Sequence, residues 1–263
     1  MKTRIEEAIA KADLVLIGIG EEFACDVQKM KRKSEYTEII SRIENKKEEL
    51  NWILPFLVKD YLEKYQDECV EEAYEILHSL LQGKNYFIVT ENIDGKIFKS
   101  SLDKERIVAP CGNYTYMQCE ENCCHELLSA EQYAAETIAS CKISAEHIDQ
   151  IKPPVCPRCG ERLVFNNVQA PSYEEAAYLP MWDKYMKWLQ GTLNRNLCIL
   201  ELGVGFRYPT IIRWPFEKIG FLNQKADFFR VHHSLYQLSE ELKGKGISKE
   251  ENAVDFLRNT FVQ

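Results

Sequence analysis

Six of the ten cysteines fall between residues 119 and 159, five of them in two tight groups with Cys141 apart from both. Cys119, Cys123 and Cys124 form one group; Cys156 and Cys159 form the other. A secreted disulfide scaffold spreads its cysteines through a short chain, and 263 residues is not short. Two close groups in a reducing compartment point instead to a metal. Cys156-Pro-Arg-Cys159-Gly160 is a Cys-x-x-Cys knuckle whose glycine permits the tight turn that aims both thiolates at one ion. Cys119 with Cys123 or Cys124 supplies the other pair. Four thiolates suit tetrahedral Zn²⁺ and leave no open position for water, so the expected site is structural. The metal replaces the core that a small module lacks. Reduced surface thiols or a redox pair are the alternatives, and no thioredoxin-like context supports the latter. His125 adjoins the group as a possible substitute ligand.

Outside residues 111–165 the apolar runs are short and separated by helical patterns. Leu14-Val-Leu-Ile17 leads into Gly18-Ile-Gly20, and Tyr86-Phe-Ile-Val-Thr90 into Glu91-Asn-Ile-Asp-Gly95. Leu197-Cys-Ile-Leu-Glu-Leu202 leads into Gly203-Val204-Gly205, and Asp227-Phe-Phe-Arg-Val231 into His232-His233. Each reads as a buried strand followed by a polar or glycine loop. Residues 69–82 carry a helical apolar stripe ended by Gly83. Ser248-Lys-Glu-Glu251 reads as a capping box opening a last helix. The expected fold is α/β: a Rossmann-like open parallel sheet with helices on both faces, plus a small inserted zinc-binding module. The main domain is expected over 1–110 and 166–263, with 28–65 a helical cover over the C-terminal edge of the sheet. The module takes 111–165.

Charge narrows the partners. There are 33 basic and 41 acidic residues, for a net charge of −8, and no dense basic tract. Neither a nucleic-acid backbone nor a membrane is an expected partner. The polar opening Met1-Lys-Thr-Arg-Ile-Glu-Glu is unlike a signal peptide, and the expected location is cytoplasmic.

Taken in order, the pieces resemble the sirtuin family. Thr90-Glu91-Asn92-Ile93-Asp94 looks like the family's Thr-Gln-Asn-Ile-Asp, and Cys156-Pro-Arg-Cys159-Gly like its second zinc knuckle. Glu201-Leu-Gly-Val-Gly-Phe206 through Ile211-Ile-Arg-Trp-Pro-Phe-Glu217 is similar to one branch, the class M sirtuins. These are bacterial enzymes described as protein ADP-ribosyltransferases, found beside macrodomain and lipoylated carrier proteins. Ala109-Pro-Cys-Gly-Asn-Tyr114 followed by Gln118-Cys119 follows that branch too, which carries Gln-Gly-Asp-Tyr there. The resemblance spans roughly residues 10 to 235. The branch's Cys-x-x-x-Cys spacing favours Cys123 over Cys124 as the zinc ligand.

The resemblance implies NAD as cofactor and a protein substrate, with a lipoylated carrier protein as one candidate. It places the cofactor against Gly18, Gly20, Glu21, Glu22, Asn92, Asp94, Gly203, Val204, Gly205 and His232. It gives Asn92, Asp94 and Cys111 the catalytic positions. The departures carry information. Ordinary sirtuins place a general-base His where Cys111 stands, and a thiol of pKa about 8.5 is a poor substitute. Class M enzymes also lack that His, which implies ADP-ribose transfer rather than deacetylation. The first loop reads Gly18-Ile-Gly-Glu-Glu-Phe-Ala-Cys-Asp26, without the family's Ser or Arg. At ~5 Å and an effective dielectric of ~20, a carboxylate facing a phosphate costs on the order of 3 kcal/mol. Glu21 or Glu22 is therefore expected to take the anion site in place of phosphate. Gly203-Val-Gly205 lacks hydroxyls, as in class M, and His232 replaces the Asn that holds the adenosine ribose. Phe165-Asn-Asn-Val168 lacks an Arg that class M places nearby. Two functions follow: an NAD-dependent protein ADP-ribosyltransferase, or a pseudo-sirtuin that binds a partner protein and has lost its NAD pocket.

Overall fold

The computed structural model describes residues 1–143 and 145–261. Ser144, in the expected module, and Val262 and Gln263, at the end of the expected main domain, lie outside the described residues. In chain order the helices are α1 (Lys2–Lys11), α2 (Ser34–Asn45), α3 (Lys47–Leu50), α4 (Leu54–Lys64), α5 (Glu68–Leu81), α6 (Ala130–Ile143), α7 (Leu179–Gln190), α8 (Arg213–Leu222) and α9 (Ala253–Phe261). The strands are β1 (Leu14–Ile19), β2 (Tyr86–Thr90), β3 (Ile107–Val108), β4 (Gly112–Cys119), β5 (Leu128–Ser129), β6 (Leu163–Asn167), β7 (Leu197–Leu202), β8 (Ala226–His232) and β9 (Gly246–Glu250).

The four apolar runs are strands because they must be buried on both sides. Every residue of β1, β2 and β7 is buried, with no alternation, as a doubly covered parallel strand requires. They form one parallel sheet in the order β3-β2-β1-β7-β8-β9. Helices α1, α5 and α9 cover one face through Ile5, Tyr74, Leu77 and Phe256. Helices α7 and α8 cover the other through Tyr185 and Phe216, with Ile212 just ahead of α8. The chain runs outward from β1 in one direction and from β7 in the other. Their neighbouring C-terminal ends are thus the switch point, where such sheets open a crevice.

A second lobe has its own core. Strands β5-β4-β6 form a small antiparallel sheet. Helices α2 and α4 lay Tyr36, Ile40, Phe56 and Tyr61 against its Tyr114, Met117 and Phe165. The Phe56 and Phe165 rings are 4.9 Å apart. The residues expected to cover the sheet edge thus pack on the cysteine-bearing lobe, because its face supplies the apolar partner their stripes need.

One local expectation is corrected. Ser248 lies in β9, and the last helix is capped by Asn252, whose Oδ1 accepts from Val254 N at 3.0 Å and Asp255 N at 3.2 Å. The Gly18-Ile-Gly20 turn leads into a three-residue 3₁₀ turn, Glu21–Phe23.

Candidate functional site

The loops after β1 and β7 close on each other at the switch point. Gly20 N donates to Leu202 O at 3.0 Å. A Cβ on Gly20 would lie 2.3 Å from Gly203 O and Val204 Cα, so no other residue fits there. Gly203 has φ +64°, the left-handed region that favours glycine. Gly18 lies within β1, where its missing side chain makes room for Ile212 and Phe216. Val204 is buried in the core beneath α8.

The two acidic residues of the first loop sit differently. Glu22 is buried, its side chain only 3% exposed. Its Oε1 accepts from the His233 backbone N–H at 2.8 Å and from the His233 ring. Its Oε2 accepts from Ala253 N, the first residue of α9, at 2.6 Å. Glu22 thus holds the anion position of a helix N-terminus, but that of α9 rather than of a helix beginning at the loop itself. Glu21 is half-exposed and lies against Gly205. Its Oε1 is 3.5 Å from His232 Nε2.

His232 is fully buried at the end of β8. Its Nδ1 accepts from Ser234 N at 3.0 Å and Leu235 N at 2.9 Å. That assigns the proton to Nε2, which has no hydrogen-bond partner. Burial lowers the ring's pKa and keeps it neutral. Glu22, His232 and His233 bring ligand-type atoms within 4.8 Å of one another. With Nδ1 taken and Nε2 protonated, however, His232 is a hydrogen-bond donor and not a metal ligand.

At the end of β2, Asn92 Nδ2 donates to Gly20 O at 2.9 Å. Asp94 accepts from Cys25 N at 2.8 Å and Lys96 N at 2.9 Å, so its carboxylate pins the first loop and caps the next turn. Burial raises its pKa against the pull of those two N–H groups. Glu91 is 5% exposed; its carboxylate makes no close side-chain hydrogen bond, and the Gly205 N–H is the backbone donor that faces it. Burial, reinforced by Glu21 and Glu201, raises its pKa to about 7 against the Gly205 N–H and Arg213. Cys111 is fully buried, and burial with the neighbouring Glu91 pushes its thiol to about 12. A thiol so held supplies neither base nor nucleophile at neutral pH. Glu21, Glu91, Asn92, Asp94, Arg207 and Tyr208 line a cavity of about 90 Å³. Ligand clefts run to roughly 300 Å³ and above.

One cluster was only half legible in the sequence. Glu201 of β7 is fully buried and accepts from Arg213 at 2.9 Å and from Arg230 at 2.7 and 3.0 Å. Arg213 and Arg230 also donate to Leu235 O and Gln237 O. The cluster therefore fixes the chain beyond His232. A charged residue inside each of two apolar strands, Glu201 and Arg230, was the available signal.

In the second lobe the four cysteine side chains of Cys119, Cys123, Cys156 and Cys159 converge within 4.8 Å. Sγ–Sγ distances are 3.5 Å for Cys119–Cys159 and 3.6 Å for Cys123–Cys156. Thiolates on a tetrahedral zinc stand about 3.8 Å apart, so the set fits that ion. Cys124 lies 3.9 Å from Cys123 and outside the quartet. His125 bonds Glu174 instead.

The structure defines an open α/β protein with a switch-point crevice and a thiolate-bearing second lobe. Its fold is that of the solved Sir2 sirtuins. A solved Sir2 homologue in complex with ADP-ribose superposes with a TM-score of 0.60 at 13% identity, covering 99% of this chain and 95% of the other. Sir2Tm bound to a propionylated peptide gives 0.57 at 11% identity, covering 98% and 95%. A protein ADP-ribosyltransferase of Staphylococcus aureus (strain Mu50 / ATCC 700699) is 24% identical over 189 residues, 70% of this chain. A probable bifunctional ADP-ribose hydrolase/ADP-ribosyltransferase of Fusarium oxysporum f. sp. cubense is 32% identical over 156 residues, 56% of this chain. The matches span 58% and 26% of those two relatives' own lengths. No protein-family model matches the chain. Among the described residues no helix is long and apolar enough to cross a membrane.

Proposed function

We propose that the chain is an NAD-dependent protein-modifying enzyme of sirtuin type that transfers ADP-ribose rather than removing acyl groups. The observation that carries the choice is Cys111. Deacylation needs a base at that position, and a buried thiol near pKa 12 is not one. Both curated relatives carry ADP-ribosyl transfer in their names. Solved neighbours hold ADP-ribose and an acylated peptide, which supports a protein substrate. A lipoylated carrier protein is the candidate from the class M resemblance.

The residues fit the cofactor unevenly. At the ribose end the Glu91 carboxylate and His232 Nε2 are buried polar groups with few close partners, the Gly205 N–H for one and Glu21 at 3.5 Å for the other. Asn92, Asp94 and Gly20 would lie along the nicotinamide ribose, and Gly203, Val204 and Gly205 along the far side. When bound, NAD supplies an electrophilic ribose carbon and a neutral leaving group. At the diphosphate end Glu22 already takes the Ala253 N–H, and Glu21 fills the space over Gly205. A diphosphate fits there only with Glu22 withdrawn.

That occupied end favours a second reading, a scaffold that binds a partner protein without turning over NAD. We also propose zinc in the cysteine quartet and a division into 1–110 with 166–263 and 111–165. In that division 28–65 is the helical cover, and its apolar residues pack on the core of 111–165. Incubating the zinc-loaded protein with NAD and a lipoylated carrier domain, with mass spectrometry of both chains, tests the first reading. Addition of ADP-ribose without deacylation is expected. No product and no thermal shift with NAD or ADP-ribose would favour the scaffold.

A further inference from the structure

Phe23 and Cys25 of the first loop also line a second cavity, of about 250 Å³, that shares no lining residue with the crevice. One wall is α5, through Val70, Glu71 and Tyr74; the other is the turn that carries Lys96 and Lys99. The floor is apolar. Phe23 and Tyr74 are buried with ring centroids 5.4 Å apart, and Val70 is buried with them in one core. Tyr74 also carries a buried hydroxyl with no hydrogen-bond partner, a group that a fold ordinarily satisfies with water or a ligand. Burial and the Asp94 carboxylate raise the pKa of the Cys25 thiol, so it stands there as a neutral, apolar contact. The rim is charged in both signs. Lys96 Nζ donates to Tyr65 O at 2.7 Å, and Glu75 accepts from Ser101 N at 3.2 Å. Glu71 and Lys99, by contrast, are exposed, and among the described residues their side chains form no ion pair or hydrogen bond. An ammonium and a carboxylate that line one cavity without pairing leave each free for a ligand charge of opposite sign.

We propose that this cavity binds a small zwitterion with an apolar body, of the class of free α-amino acids with an aromatic or aliphatic side chain. The apolar side chain lies on Phe23, Val70 and Tyr74, the α-carboxylate on Lys99 and the α-ammonium on Glu71. The size agrees: clefts for drug-sized ligands begin at roughly 300 Å³, and this one is a little smaller. A ring set against Phe23 and Tyr74 gains edge or offset contacts. Single charges fit less well. An acid without an amine meets repulsion from Glu71, Asp67 and Glu75, and an amine without an acid meets it from Lys96 and Lys99. The site depends on neither reading of the crevice. It touches the rest of the molecule through the first loop, where Cys25 N donates to Asp94 at 2.8 Å. A ligand packed on Phe23 and Cys25 therefore steadies the loop that carries Glu21 and Glu22.

The test is calorimetry and thermal melting of the zinc-loaded full chain with L-phenylalanine, 3-phenylpropionate and phenethylamine. The three share one apolar body and differ in the charges they carry. L-Leucine and L-methionine cover smaller side chains. L-Phenylalanine should bind about tenfold or more tightly than either singly charged analogue and raise the melting temperature by a few degrees at saturation. Lys99→Ala should reduce it to the level of phenethylamine, and Glu71→Ala to that of 3-phenylpropionate. Both residues are exposed, so the fold survives either change. Val70→Trp should abolish binding by filling the floor, with circular dichroism and metal content reporting on the fold. Backbone amide shifts on adding L-phenylalanine should centre on Phe23, Cys25, Tyr74 and Lys99. No binding by any of the three amino acids overturns the proposal. So does equal binding of L-phenylalanine and its two analogues, or binding that both exposed-residue variants leave untouched.

Discussion

Glu91 and Glu22 are both buried acids at the same crevice, and they do opposite things. Glu22 is held by two backbone N–H groups and tethers α9, whereas Glu91 has only the Gly205 N–H against the cost of its burial. For Glu91 the folded pKa, about 7, lies above the ordinary 4.5. Between those values the folded chain keeps a proton that the unfolded chain releases. The contribution to stability is whole below pH 4.5 and is lost as pH rises through 7. The loss is about 3 kcal/mol by the shift alone. Glu91→Gln is therefore expected to be more stable than wild type at pH 8 by up to about that amount and to match it near pH 4.5. Urea unfolding at the two pH values measures it. The acidity of the first loop was legible from Glu21-Glu22 standing where a phosphate loop was expected. The partner of Glu22 was not, since Ala253 lies 231 residues away and contributes only a backbone N–H.

The cysteine lobe shows what sequence reading gives at the scale of elements. The two knuckles were legible because a metal needs its ligands at short, fixed spacings. That Cys123 rather than Cys124 joins the quartet rested on a resemblance, and the structure brings Cys123 in. Cys123→Ala should lose the ion, and Cys124→Ala should keep it, by metal content after gel filtration. Chelation should also loosen more than the knuckles. Because α2 and α4 share the lobe's core, hydrogen exchange should rise across residues 34–64 together with 112–167, while β1 and β7 stay protected. Other elements misled. Gly246–Glu250 forms an edge strand from a mostly polar segment, and its Ser248 completes a capping-box pattern that the helix does not use. Strand pairing along one edge decided that segment, and no local pattern carries the information.

For the molecule as a whole, the parallel sheet was readable because four apolar runs each demanded cover on both faces, whereas its strand order and its outer strands β3 and β9 were not. The second lobe's core was not, because it joins segments on either side of α5, β2 and β3 that carry no mutual signal. We propose that the switch-point crevice, lined by the loops after β1, β2 and β7, offers a ribose end to a ligand while Glu22 holds its diphosphate end. Calorimetric titration of NAD into wild type and Glu22→Ala tests this most directly. Removing a carboxylate from a phosphate seat is worth about 3 kcal/mol, on the order of a hundredfold in affinity. Glu22→Ala should bind NAD that much more tightly than wild type, although the fold loses a buried tether. Equal micromolar binding by both proteins, with Glu22 still on the Ala253 N–H, would contradict the claim.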